Sequence, residues 1–180
     1  RIEFKRDVLL PRWMPTVESY LAGDARFANP ALVYCVIWLF DTGEMSQALD
    51  WADVAITENQ AMPENFKSTM PAFVADTVLE WATSQAEAGH SIEPYFSRTF
   101  ENIREKWRLH EDINAKWFKF AGLYLLRDER GRPRATAVDD VETLEQADAL
   151  LAQAHAFNNN SGVRTARDKI RARINSLTKQ

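Results

Sequence analysis

Glycine, cysteine and strand-type patterning are all scarce in this chain. Six glycines in 180 residues leave little room for a loop-rich architecture, and each is expected near a helix end. A single cysteine, Cys35, excludes an internal disulfide. Its setting in Ala31-Leu-Val-Tyr-Cys-Val-Ile-Trp-Leu-Phe40 marks a buried, inert thiol rather than a nucleophile. That usage fits a reducing compartment. No segment alternates apolar and polar residues with the β-branched enrichment of a strand. The longest apolar run ends at Asp41 after about ten residues, about half of what a membrane-spanning helix requires, so no membrane partner is expected.

Catalytic patterns are missing as well. There is no glycine-rich phosphate loop and no Cys/His spacing for zinc. His90, His110 and His155 lie far apart, and the first two read as turn residues. Acidic pairs occur at Glu111-Asp112, Asp128-Glu129 and Asp139-Asp140, but none brings the lysine or further acid usual around a metal-dependent nuclease. Asp139-Asp140 fits a helix cap instead. The expectation is a chain with no catalytic residue, no metal ligand and no cofactor.

What remains is helical. Hydrophobic residues make up 46% and charged residues 27%, the balance of a globular domain. Six Trp and ten Phe imply an aromatic core. Trp38, Trp51, Trp81, Trp107 and Trp117 lie on apolar stripes and are expected inside; Trp13, at the Leu9-Leu-Pro-Arg-Trp13 junction, is expected partly exposed. Ile2 to Leu10 reads as the end of a helix, stopped by Pro11, and a second short helix is expected from about Pro15 to Ala22, closed by Gly23. Asn29-Pro30 is an N-cap with proline at the first helical position. Helices follow over Met45–Glu58, from Thr69 to near Gly89, through Phe96, Phe100, Ile103 and Trp107, and over Asn114–Arg127. Another opens at Asp139 or Asp140, with Leu144, Ala147, Leu151 and Ala154 inward. The fold class is all-α, a multi-helix array of antiparallel hairpins with a tetratricopeptide-like flavour and no significant β-sheet.

Charge is unevenly distributed. Residues 1–157 carry sixteen Lys/Arg against twenty-five Asp/Glu, whereas residues 158–180 carry six against one. A polar break, Phe157-Asn-Asn-Asn-Ser-Gly162, precedes a basic helix from Val163 to Leu177. An acidic body with a basic tail points to a partner at the tail: an acidic protein surface or nucleic acid. A solvated cationic face on a packed last helix accounts for the same pattern without any partner. The run Arg127-Asp-Glu-Arg-Gly-Arg-Pro-Arg134 reads as a solvated loop, its arginines diluted by two acids.

Three stretches, in order, resemble the small terminase subunit of P2-type tailed bacteriophages. The first is Lys5-Arg6-Asp-Val-Leu9-Leu10-Pro11-Arg-Trp13. The second runs from Val33-Tyr-Cys-Val-Ile-Trp38-Leu-Phe-Asp41-Thr-Gly43 through Ala48-Leu49, extended by Met62-Pro63-Glu-Asn-Phe66. The third is Ala154-His-Ala-Phe157-Asn158 through Gly162-Val163-Arg-Thr-Ala-Arg-Asp168-Lys-Ile170. Residues 90–135 carry little of the pattern. The resemblance implies viral DNA packaging in the cytoplasm of the infected bacterial host. The implied partners are phage double-stranded DNA, the large terminase subunit that holds the ATPase motor, and further copies of the chain in a homo-oligomeric ring. It implies a helical core and oligomerisation domain over 1–157, and a polar hinge with a basic helix over 158–180. A DNA-binding segment would precede residue 1. Arg1, Lys5, Arg6, Arg164, Arg167, Lys169, Arg171 and Arg173 are the expected DNA- or partner-binding residues. Members of this family are often labelled the endonuclease subunit. A cutting enzyme and a monomeric helical-repeat scaffold are the alternative readings.

Overall fold

A computed structural model describes residues 1–179. Nine α-helices and no β-sheet are present among them, as the helical periodicity predicts. The chain divides into two compact units, Arg1–Val78 and Leu79–Gln180, with the boundary inside one helix. The body and tail expected on either side of residue 157 differ in charge, a distinction that compactness does not address.

The first unit opens with α1 (Ile2–Phe4), a π-helical stretch (Lys5–Leu9) and α2 (Leu10–Ala22), which follow one another without a break. The expected stop at Pro11 and restart at Pro15 are therefore overturned. Ahead of Pro11 the hydrogen bonding widens: the Leu10 amide donates to the Lys5 carbonyl five residues back. The wider turn accommodates the proline ring, which a tight α-turn would press against a carbonyl. Helix α3 (Pro30–Asp41) starts where Asn29 Oδ1 accepts from the Leu32 amide at 3.1 Å. Gly43, at φ +81°, makes the reversal into α4 (Met45–Thr57), since only glycine adopts that backbone without strain. Leu32, Val33, Val36 and Leu39 of α3 form the core of this unit together with the small α4 residues Ala48, Ala52 and Ala55. Cys35 is fully buried among them, and burial pushes its thiol pKa up to about 11, as expected of an inert cysteine. Helix α5 (Met70–Glu87) starts in this unit, where Phe73 meets Phe66 and Phe40 edge to face at 5.6 and 6.1 Å.

The second unit contains the end of α5 and helices α6 (Tyr95–Glu105), α7 (Glu111–Tyr124), α8 (Val141–Phe157) and α9 (Arg164–Thr178). Phe96 and Phe100 stack on Trp117 at 5.0 and 5.8 Å. Leu144, Ala147, Leu151 and Ala154 are all fully buried, as their spacing predicts. Asp140 caps α8 by accepting from the Glu142 and Thr143 amides, and Val163 and Ile170 anchor α9.

Three expectations need correction here. Helix α7 starts at Glu111 rather than Asn114, because His110 Nδ1 accepts from the Asp112 amide and caps it. Gly122 lies within α7, not at a break; it is buried against α8. Of the five tryptophans expected inside, Trp51 and Trp117 are buried and Trp38 and Trp81 are half-buried; Trp107, also half-buried, lies beyond the end of α6 at Glu105 rather than on its stripe. An apolar stripe fixes the facing side of a helix, not how completely it is covered.

Candidate functional site

Successive residues on a helix turn by about 100°, so the six cations from Arg164 onward cannot share one face. Val163, Ile170, Ile174 and Leu177 take the inner side of α9, with Val163 and Ile170 buried and the other two half-buried. Five of the six divide into two stripes flanking that apolar seam, and Lys179 lies just past the end of α9.

Arg164, Arg167 and Arg171 form one stripe. With His155 of α8, Val163 and Asp168 they line a shallow depression of about 160 Å³. Arg167 is already engaged. Its Nε and Nη2 donate to the two carboxylate oxygens of Asp148 on α8 at 2.8 and 3.3 Å. Arg171 lies 3.5 Å from Asp168, with both side chains well exposed. Arg164 is exposed and has no ion pair among the described residues. Arg164 and Arg171 are thus the cations of this stripe most available to an outside anion.

Lys169 and Arg173 form the second stripe, facing a cleft of about 700 Å³ built from α7, the loop after it and α9. Arg173 donates Nε to the Val138 carbonyl at 3.0 Å and Nη2 to Asp139. Lys169 is exposed and unpaired among the described residues. Two further cations complete the rim. Lys119 of α7 donates to the Ser161 carbonyl at 2.9 Å, and Arg134 stands 3.6 Å from Asp128. Between these cations lie Leu123, Leu126, Pro133, Ala135, Val163, Ala166 and Ala172, and no carboxylate lines the cleft. Sequence reading missed Lys119; Arg134, read as part of a solvated loop, is 62% exposed as expected and also stands on the rim of the cleft. Loop geometry explains Arg134: Asp128 Oδ1 accepts from the Arg130 and Arg132 amides, folding the turn back on α7. Those amides, Arg132 first, hold the Asp128 carboxyl below its ordinary pKa. Arg127, by contrast, lies over the Tyr124 ring, 4.8 Å from its centroid.

The N-terminal cations sit apart from these, in the first unit. Arg1 is exposed, Arg6 pairs with its neighbour Asp7 at 3.1 Å, and Lys5 is tied to Asp41 at 2.6 Å. That unit also carries an apolar groove of about 850 Å³, bounded by α2, residues 23–29 and α3. Trp13, Tyr20, Phe27, Tyr34 and Trp38 line it. Trp13 is 37% exposed, as its junction position predicts, and Phe27 and Tyr34 are 59% and 39% exposed. Among the described residues no group of three or more His, Cys, Asp or Glu side chains is placed to hold a metal ion. No helix there is long and apolar enough to cross a membrane.

Comparison with known proteins agrees with the resemblance drawn from the motifs. The family model described as phage small terminase subunit matches residues 1–112. The chain is 42% identical over 179 residues to the "Probable terminase, endonuclease subunit" of Haemophilus phage HP1, covering 99% of this chain and 64% of that protein. It is 27% identical over 144 residues to the "Terminase, endonuclease subunit" of Escherichia phage P2, covering 80% of this chain and 57% of that protein. The chain therefore spans about three fifths of the length of these relatives. No solved structure matches it.

Proposed function

We propose, because this chain belongs to the phage small terminase subunit family, that it is a non-catalytic adaptor for packaging viral DNA. It binds double-stranded phage DNA, self-associates, and recruits the large subunit that drives translocation. The observation that carries the DNA half is the outward stripe of α9, where Arg164 and Arg171 stand exposed beside His155. The chain as a whole is acidic, with formal net charge −4. Its body therefore repels a duplex, and only local cationic patches attract one. The contacts go mainly to phosphate, which positions DNA without reading sequence. Arg1, Lys5 and Arg6 form a secondary patch, weakened by the engagement of Lys5 with Asp41.

Self-association has its surface in the first unit. Large exposed apolar patches mark interaction sites, and the aromatic groove is one. The same unit exposes Ile2, Phe4 and Val8. A second copy offering these residues to the groove makes a head-to-tail contact, the type that closes into rings. Sedimentation velocity of the chain alone and with a DNA duplex tests the proposal. Assemblies larger than a monomer that bind the duplex support it; a monomer that ignores DNA contradicts it.

A second reading follows from the names of both relatives, which describe an endonuclease subunit. Incubating the purified chain with supercoiled DNA and Mg²⁺ separates the two. Cutting that survives further purification and disappears with EDTA promotes the endonuclease reading.

A further inference from the structure

The cleft beside α9 combines two chemistries that a duplex does not use together. Its floor is apolar: Leu126, Ala135 and Val163 are buried there, and Leu123 and Ala166 half-buried. Its rim is cationic on every side: Lys119 from α7, Arg134 from the loop, and Lys169 and Arg173 from α9. A DNA backbone laid across it would satisfy the rim but leave the floor against sugar and phosphate. It would gain nothing from the apolar surface and lose hydration at its own oxygens. An amphipathic helix satisfies both. Apolar residues at i, i+3, i+4 and i+7 fill the floor, while carboxylates beside them meet the four cations. Asp128 and Asp139 pair with Arg134 and Arg173 from outside the lining, fixing those side chains at the rim and offsetting part of their charge. Lys169, unpaired among the described residues, and Lys119, bonded to the neutral Ser161 carbonyl, therefore carry most of the attraction for an acidic partner.

We propose that this cleft is the docking site for an acidic amphipathic helical segment of a second protein. The inference deepens the recruiting role proposed above and rests on it. It also divides α9 by function. Lys169 and Arg173 belong to the protein partner, and Arg164 and Arg171 to DNA. Ala172 is the most direct place to block the site, because it lines the cleft yet is exposed. A bulky side chain there fills the cleft without disturbing the buried seam of α9.

The test uses the whole chain and a fluorescent helix-forming peptide of about four turns, with leucine on one face and glutamate on both flanks. Anisotropy should rise on binding. Lys169→Glu, Arg134→Glu and Ala172→Trp should each weaken binding by about tenfold or more, with unchanged circular dichroism. The same peptide with glutamine for glutamate should lose a similar factor. A peptide that binds wild type and all three variants equally overturns the inference. Displacement of the peptide by duplex DNA, with DNA affinity lost in the Ala172→Trp variant, assigns the cleft to nucleic acid and overturns it. Absence of peptide binding, with self-association abolished by Ala172→Trp, gives the cleft to a second copy and overturns it as well. If the peptide fails to bind while the duplex still binds through Arg164 and Arg171, the inference falls and the DNA reading stands. If both ligands fail, both fall.

Discussion

Arg167 on α9 grips both carboxylate oxygens of Asp148 on α8, through Nε at 2.8 Å and Nη2 at 3.3 Å. The most obvious cation of the basic helix is thereby committed within the molecule. Asp148 raises the already high pKa of the guanidinium, through this hydrogen bond first. The two side chains are about a third exposed, so solvent screens the pair and its worth is up to about 1 kcal/mol. Arg167→Ala should lower stability by that order in urea unfolding. Its effect on DNA affinity should be smaller than that of Arg171→Ala. A larger loss of DNA binding at Arg167 than at Arg171 would show that the ion pair opens to receive phosphate.

Gly122 packs so closely on α8 that a Cβ there would lie 2.8 Å from Leu151 Cδ2 and 3.0 Å from the Ala147 carbonyl oxygen. In an unpacked helix, glycine to alanine gains about 1 kcal/mol. Here the backbone carbonyl cannot swing aside, so the gain is outweighed by overpacking of roughly 1–3 kcal/mol. Gly122→Ala should therefore lower the urea midpoint. A raised midpoint would show that α7 and α8 separate without penalty.

Asn29 caps α3 with its side chain, and its own amide donates to Gln60 Oε1 at 2.8 Å. Asn29→Ala should cost about 1–2 kcal/mol, measured by chemical denaturation. Asn29→Asp keeps the acceptor for Leu32 and should recover most of the loss.

Cys35 gives the chain a stability limit at alkaline pH. Its pKa is raised on folding, to about 11, so between the unfolded thiol value near ~9 and that figure the folded state binds more protons. Stability from the neutral thiol is complete below the unfolded pKa and is lost as pH rises towards the folded pKa. The loss is of order 2–3 kcal/mol. Urea midpoints measured across that window should fall more steeply for the wild type than for Cys35→Ala. Equal slopes would show that the thiol titrates as if exposed.

Much of this fold was legible because helix signals are local. Asn29-Pro30 states where α3 begins, and Leu144, Ala147, Leu151 and Ala154 state which side of α8 faces inward. The errors arose where the outcome depends on residues distant in sequence or on unusual backbone. Pro11 looks like a helix stop and Pro15 like a restart; the π-type widening over Lys5–Leu9 carries the helix past Pro11, and Pro15 lies inside α2. Gly122 resembles a terminator because its reason, Leu151, lies on another helix. The cleft was invisible for the same cause. Lys119 is 42 positions from Ser161, its hydrogen-bond partner, and no spacing rule links them. Helical spacing separates Arg164, Arg167 and Arg171 from the apolar seam of the basic tail; packing shows which of its cations are engaged and that Lys169 and Arg173 border a cleft.

The aromatic groove makes the assembly prediction specific. Trp13→Glu and Phe27→Glu place charge on exposed positions of its lining. Both should shift sedimentation towards the monomer while leaving the helical signal intact. Unchanged sedimentation would move the contact elsewhere.

The central claim is that exposed cations on α9 hold duplex DNA through its phosphates. A fluorescence-anisotropy titration of labelled duplex over a salt series tests it most directly, comparing wild type with the Arg164→Glu/Arg171→Glu variant. The account predicts wild-type dissociation constants on the order of 10⁻⁴–10⁻⁶ M at physiological salt, little dependence on sequence, and a steep linear fall of log affinity with log salt. In the variant both affinity and slope should drop, the slope by roughly one for each phosphate contact removed. A variant that binds as tightly as wild type with the same salt slope would contradict the account.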